Sequence, residues 1–185
     1  MSPGAEVLLD WMHDVEAGVS YDINVRPTVI TDPDAYWSKV QPWLRVVGRR
    51  QGIVKASDED INFLANAAGS GAGDQSAGDP VELAGRWVEQ YGLGLGVITL
   101  GPGGGAAVEP GGNITRAPGF PTKVVDTVGA GDTFMAGFLD GYVKLQLGIA
   151  ASLERGAAAA SIVCSRRGAQ PPTSAEVDDL IDEKT

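Results

Sequence analysis

Little in this 185-residue chain offers soft-ligand or redox chemistry: it has one cysteine, Cys164, and one histidine, His13. A single thiol cannot close an internal disulfide. Cys164 lies in an alanine-rich apolar run with no histidine near it in sequence, so a buried structural thiol is expected rather than a nucleophile. His13 has no second ligand or triad partner in view, which argues against a zinc site or a Ser-His-Asp hydrolase. Basic residues are also scarce. Fourteen Lys and Arg stand against 24 Asp and Glu, giving a formal charge of −10 and a pI near 4.4. That balance disfavours nucleic acid and anionic membrane as partners. No hydrophobic run is long enough to span a bilayer, and Ser2-Pro3-Gly4-Ala5-Glu6 lacks a basic signal pattern, so a cytoplasmic location is expected. Asn113-Ile114-Thr115 matches a glycosylation acceptor but means nothing without secretion.

What is present is an alternation of strand and helix signals. Ser2-Pro3 caps and opens a helix to about Val15. Val19 to Val25 reads as a strand, and Asp34 to Val47 as a helix bent at Pro42. Gly52 to Ala56 is a short strand. Ser57 then caps a helix through Leu64, with Asp58, Glu59 and Asp60 in its first turn. Gly69 to Gly78 is a glycine-rich loop, Pro80 to Tyr91 a helix, and Gly96 to Leu100 a buried strand. Ala106 to Thr115 suggests an edge hairpin. Ile149 to Cys164 is a helix whose alanines suit tight packing, and the acids from Glu176 to Glu183 form the wet face of a terminal helix. Such alternation means an α/β fold with a largely parallel sheet. In such sheets ligands bind at the carboxyl ends of strands, where Asp22, Asn24, Ser57, Asp60, Thr99, Gly101 and Asp132 are expected to converge.

The most informative stretch is Asp126-Thr127-Val128-Gly129-Ala130-Gly131-Asp132-Thr133-Phe134. Phe134, Phe138, Tyr142 and Leu145 recur at helical spacing, so a helix should begin near Gly131. Its first amides would then face a loop free of side chains, an arrangement that favours anions. Asp132 there has two readings: a base placed beside a phosphate, or a residue that caps its own helix. Gly101-x-Gly103-x-x-Ala106 fits a dinucleotide fingerprint only formally, because a strand and turn rather than a helix should follow. No P-loop pattern occurs.

Residues Asp126 to Phe134 resemble the second signature of the ribokinase-like (PfkB) carbohydrate kinases. The resemblance implies that Asp132 is the catalytic base and that the amides of Gly129, Ala130 and Gly131 form the anion hole for the transferred phosphoryl group. Thr99-Leu100-Gly101-Pro102-Gly103-Gly104 resembles the family's Thr-x-Gly-x-x-Gly segment, implying nucleotide contacts at Thr99, Gly101, Gly103 and Gly104. Ser57-Asp58-Glu59-Asp60 stands where many members carry Asn-x-x-Glu. That match places Ser57 and Asp60 at the nucleotide, with Asp60 organising magnesium through water, although both outer residues differ from the motif. Tyr21-Asp22-Ile23-Asn24-Val25-Arg26-Pro27 is similar to the Asp-x-Asn-x-Arg-Pro segment of the fructokinase branch. It implies substrate contacts at Asn24 and Arg26, alongside Asp132. Ser165 to Pro171 resembles the family's late loop, near which backbone carbonyls hold a monovalent cation with Asp126 and the Val128 carbonyl.

The resemblance therefore implies a ribokinase-like α/β fold, with a largely parallel sheet flanked by helices and a small edge hairpin. Residues 1–185 read as the C-terminal portion of one such domain, its N-terminal part and lid absent. The implied activity is ATP-dependent phosphorylation of a sugar hydroxyl, fructokinase-like, using ATP and Mg2+, with K+ as a family-level suggestion. Sugar and ATP are the implied partners, together with a homodimer or a missing N-terminal segment. The alternative is a non-catalytic remnant that binds nucleotide or a partner subunit.

Overall fold

The computed structural model describes residues 3–67 and 78–184. Ser2, expected to cap the first helix, and positions 69–77 of the expected glycine-rich loop lie outside the described residues, as does the His13 side chain. The elements run α1 (Pro3–Asp14), β1 (Ser20–Asp22), α2 (Pro33–Arg49), β2 (Ile53–Ser57), α3 (Asp58–Ala65), α4 (Pro80–Tyr91), β3 (Leu95–Thr99), β4 (Gly105–Val108), β5 (Ile114–Ala117), α5 (Ala130–Leu139), α6 (Ile149–Cys164) and α7 (Ser174–Asp182). The strands are ordered β1-β2-β3-β4-β5 in a mixed sheet, mostly parallel in its middle. Strand β1 runs parallel to β2 with Ser20 opposite Ile53 and Asp22 opposite Lys55.

Backbone packing divides the chain into two compact units, residues 1–98 with 108–113 and residues 99–107 with 114–185. The sequence shows no such boundary, because the division falls inside strands rather than in a linker. In the first unit, Trp37 and Trp87 lie with ring centres 5.3 Å apart. Leu44, Val47, Ile61, Leu64, Val81 and Leu93 are also buried in this unit. Local chemistry sets the helix starts. Asp32 accepts from the Asp34 amide at 2.9 Å ahead of Pro33, and Asp79 from the Val81 amide at 3.0 Å ahead of Pro80. Those short acceptors satisfy donors that the first helical turn leaves open. Helix α2 continues through Pro42 to Arg49, past the stop expected at Val47.

In the second unit α5 and α6 approach closely. A β-carbon on Gly137 would sit 2.9 Å from the Ala159 β-carbon, so only small residues permit this spacing. Phe134, Phe138, Leu153 and Ala158 are buried there. The apolar stripe expected to continue through Tyr142 and Leu145 holds in part: Tyr142 stacks on Phe138 with ring centres 5.4 Å apart. Residues Asp140–Lys144 widen into a π-turn, and there Tyr142 is 36% and Leu145 44% exposed. The buried Arg155 guanidinium holds this turn, its Nε donating to Asp140 Oδ2 at 2.9 Å and its other nitrogens to Asp178 and Ser174.

Candidate active site

The second unit contains the signature loop. Gly129 occupies the cap position of α5 with φ 80° and ψ 5°, a left-handed conformation that glycine adopts without strain. No side chain caps the helix. Asp132 is its third residue and exposed, so its carboxylate is not consumed in capping its own helix. The turn uses one of the three amides expected in the anion hole, since Ala130 N–H donates to the Thr127 carbonyl at 3.1 Å. Thr133 N–H donates to the Gly129 carbonyl at 2.9 Å, the first bond of the helix ladder.

Asp126 ties this loop to the late one. Its Oδ1 accepts from Val128 N–H at 3.0 Å and its Oδ2 from Gly168 N–H at 2.9 Å. These two amide bonds, foremost that of Val128, hold the carboxyl below its usual value of 3.8. A depressed folded value means the tie is complete above 3.8 and lost as pH falls through the lower, folded value. The Gly168 amide resonance should therefore titrate with a midpoint below 3.8. A midpoint at or above 3.8 would show that the carboxylate does not hold this loop. Farther along, Gly129 lies so near the late loop that a β-carbon on it would be 3.0 Å from that of Ala169. Arg166 donates to the carbonyls of Gln170 at 3.3 Å and Pro171 at 3.4 Å. Cys164 is half-buried rather than fully buried. Burial first, and then the Asp126 charge, push its thiol above the ordinary value, as suits an unreactive thiol.

The glycine segment after β3 closes on itself. Gly103 N–H donates to the Leu100 carbonyl at 2.9 Å, Gly104 N–H to that of Gly101 at 3.1 Å, and Leu100 N–H to that of Gly104 at 2.9 Å. Strand β4 follows at once, which agrees with rejection of the dinucleotide fingerprint. Thr99 is half-buried at the end of β3, and Gly101 and Gly103 are exposed. Gly104 has φ 88°, and a β-carbon on it would lie 2.3 Å from the Ala117 carbonyl oxygen and 2.5 Å from the Gly119 nitrogen. Gly104→Ala should therefore lower stability by about 2 kcal/mol or more, read as a shifted urea midpoint. An unshifted midpoint would mean that the segment is not seated as tightly as these distances require.

In the first unit, the strand expected over 19–25 ends at Asp22, because Asn24 turns left-handed with φ 47°. Ile23 and Val25 are buried while Asn24 and Arg26 are exposed, so the alternation of faces survives beyond the strand. Asp22 accepts from Lys55 Nζ at 2.9 Å, and the Lys55 side chain is 5% exposed. Sequence reasoning missed Lys55. Its signal was a lone cation inside Ile53-Val54-Lys55-Ala56, on the strand next to an aspartate.

Asp60 has a bracing role beside the one expected of it. Its Oδ2 accepts from Ser57 N–H at 2.9 Å and its Oδ1 from Val25 N–H at 2.9 Å, while Ser57 Oγ accepts from Asp60 N–H at 3.0 Å. The Ser57–Asp60 pair is thus a reciprocal capping box, extended by a third bond to the chain leaving β1. Asp60 is 8% exposed. Each carboxylate oxygen thus takes one backbone donor, a bracing role that the expectation of an acid organising magnesium through water did not include. Among the described residues no three His, Cys, Asp or Glu side chains cluster as a metal site. A polar cleft of about 540 Å³ elsewhere in this unit is lined by Glu16, Gly18, Gly48, Arg49, Arg50 and Gln51 among others, and includes no predicted site residue. No described helix is long and apolar enough to cross a membrane.

Residues 22–176 match the pfkB family of carbohydrate kinases, and the chain belongs to that family. A 5-dehydro-2-deoxygluconokinase from Bacillus licheniformis is 28% identical over 187 residues, covering 97% of this chain and 53% of that protein. A fructokinase from Rhizobium leguminosarum bv. trifolii is 35% identical over 121 residues, covering 65% of this chain and 32% of that protein. Among solved structures, a fructokinase double mutant from Vibrio cholerae O395 with fructose, ADP and a potassium ion superposes with a TM-score of 0.72. It is 23% identical and is matched over 97% of this chain and 56% of that one. The fold is thus ribokinase-like α/β. The chain spans about half the length of the curated 5-dehydro-2-deoxygluconokinase that it matches.

Proposed function

We propose that this chain carries the phosphoryl-transfer part of an ATP-dependent sugar kinase, with Asp132 as the base. The single observation that carries the reading is an exposed carboxylate at the third position of a helix whose start is glycine-lined and uncapped. In the reaction, Asp132 accepts the proton of a sugar hydroxyl, the hydroxyl oxygen bonds to the γ-phosphorus, and the bond from that phosphorus to the ADP oxygen breaks. Amides of Gly129 and Gly131 at the helix start would hold the transferred group, while Ala130 braces the turn. Thr99, Gly101, Gly103 and Gly104 are the nucleotide-side candidates, and the exposed Asn24 and Arg26 the sugar-side ones. Asp60 and Ser57 keep the capping role their bonds describe.

Magnesium in this reading arrives with the nucleotide, whose phosphates and waters supply most of its ligands. The exposed turn of Asp126 and the Val128 carbonyl offers hard oxygen donors, which suits a potassium ion. A potassium ion bound in the Vibrio fructokinase structure is consistent with that suggestion. Fructose and 5-dehydro-2-deoxygluconate are the two acceptors to assay first, because the relatives' names point to them. A coupled assay with ATP, magnesium and each acceptor should show ADP release that depends on the acceptor. The second reading, a chain that binds nucleotide or a partner without turnover, draws on the half-length match. Nucleotide binding by calorimetry with no acceptor-dependent ADP release, in this chain and in any longer form of it, would favour that reading and sink the first.

A further inference from the structure

Asn24 stands in the left-handed region with φ 47°, where a residue other than glycine persists only if its surroundings hold it. The chain is tied on both sides of it. Ile23 N–H donates to the Lys55 carbonyl at 3.0 Å, and Val25 N–H to Asp60 Oδ1 at 2.9 Å. The Arg26 carbonyl then accepts from Val29 N–H at 2.9 Å and from Ile30 N–H at 3.1 Å, closing a turn behind the segment. Between these ties the Asn24 carbonyl takes one more bond, from the Tyr36 hydroxyl at 3.1 Å. The proposed reaction gives that phenol no task.

Tyr36 is itself fixed. It lies in the first turn of α2, its N–H donating to the Asp32 carbonyl at 3.0 Å, and its ring meets Phe63 of α3 edge-on with centres 6.1 Å apart. Burial, foremost, raises the phenol above its usual value of 10.0, against the lowering pull of a backbone hydrogen bond at Arg26. The hydroxyl therefore keeps its proton, and donates it to the Asn24 carbonyl, throughout the neutral range. Ile23 and Val25 are buried, whereas Asn24 is exposed, so the core gains nothing from the amide. Backbone strain maintained around an exposed polar side chain serves to fix the direction of that side chain.

We propose that Tyr36 is a positioning residue for the acceptor: through the Asn24 carbonyl it fixes the Asn24 amide, whose NH2 donates to an oxygen of the sugar. The acceptor's class rests on the kinase reading. The test takes the protein as it is encoded, with fructose and 5-dehydro-2-deoxygluconate as acceptors, and compares Tyr36→Phe, Asn24→Gly and the double variant. Phe keeps the ring beside Phe63 and removes only the hydroxyl. Gly accepts the left-handed backbone and removes only the amide. Tyr36→Phe should raise the acceptor KM about tenfold, with kcat and the KM for ATP changed less than about twofold. In the Asn24→Gly background the same substitution should change the acceptor KM by less than about twofold, because no amide is left to place. A purely structural brace would give the same loss in both backgrounds. That additivity, or an acceptor KM unaltered by Tyr36→Phe, overturns the proposal and leaves the kinase reading standing. A wild type that releases no ADP with either acceptor sinks the kinase reading instead. The proposal is then decided by the Asn24 side-chain amide resonance. Subsaturating acceptor should shift it in the wild type and less than about half as far in Tyr36→Phe; no shift, or an equal one, overturns the proposal too.

Discussion

On the proposed reading, Asp132→Asn is expected to reduce turnover roughly 10²- to 10⁴-fold in a competent enzyme, with nucleotide affinity kept. At about 1.4 kcal/mol per decade, the loss corresponds to roughly 3–5.5 kcal/mol of transition-state stabilisation. The substitution keeps the shape and removes only the capacity to hold the proton. Asp132 is exposed, and α5 starts without a side-chain cap. Stability should therefore change by no more than about 0.5 kcal/mol. That separation makes the experiment decisive. A carboxylate that merely complemented the helix dipole would cost a few tenths of a kcal/mol in stability and little in rate. Steady-state kinetics with ATP and the acceptor sugar, beside calorimetric binding of ADP, read the two effects independently. A loss smaller than tenfold would remove Asp132 from the role of base, whatever the chain binds.

The second large effect concerns folding. Asp60→Ala should destabilise the protein by about 2–4 kcal/mol, a large share of the 5–15 kcal/mol that holds a typical domain together. Two backbone donors, Ser57 N–H and Val25 N–H, lose their acceptor at once. An unsatisfied amide costs about 1–3 kcal/mol where water cannot replace the partner, and loss of half a capping box adds to that. The Ser57 hydroxyl, still bonded to the residue-60 amide, keeps the helix start from being lost outright. Asp60→Asn retains one acceptor oxygen but turns an NH2 toward the other donor, so it should fall between wild type and Ala. Urea unfolding followed by Trp37 and Trp87 fluorescence measures both variants. A change below about 0.5 kcal/mol for Asp60→Ala would refute the bracing role. A variant that folds normally but needs more magnesium would favour the metal role.

The extent to which the sequence foretold this molecule varies with the range of the interactions. Helix α4 falls at Pro80–Tyr91 and α6 at Ile149–Cys164, where the pattern placed them. Proline at the first helical position, a capping aspartate and a closing Gly92 act within one turn, so they are readable from spacing. Ser57 as a cap and the hairpin of β4 and β5 were legible for the same reason. Other features depend on partners far along the chain. Asp126 meets Gly168 across 42 positions, and Asp60 meets Val25 across 35. No local pattern announces either bond. Tyr142 and Leu145 were placed on a regular helix, but Arg155 grips Asp140 from α6 and the ladder widens there. Lys55 was overlooked because a buried lysine becomes sensible only once its neighbouring strand is known to hold Asp22.

By itself, the sequence determined the α/β class, most helix bounds and the glycine-lined start of α5 with its acid, because periodicity, capping and turn chemistry are local properties of the chain. Only the tertiary structure decided which carboxylates are engaged and which are open. Asp60 and Asp126 are bound to distant amides, while Asp132 points no bond into its own helix. The difference arises because a carboxylate's role is set by the donors that packing brings to it, and those donors come from other elements.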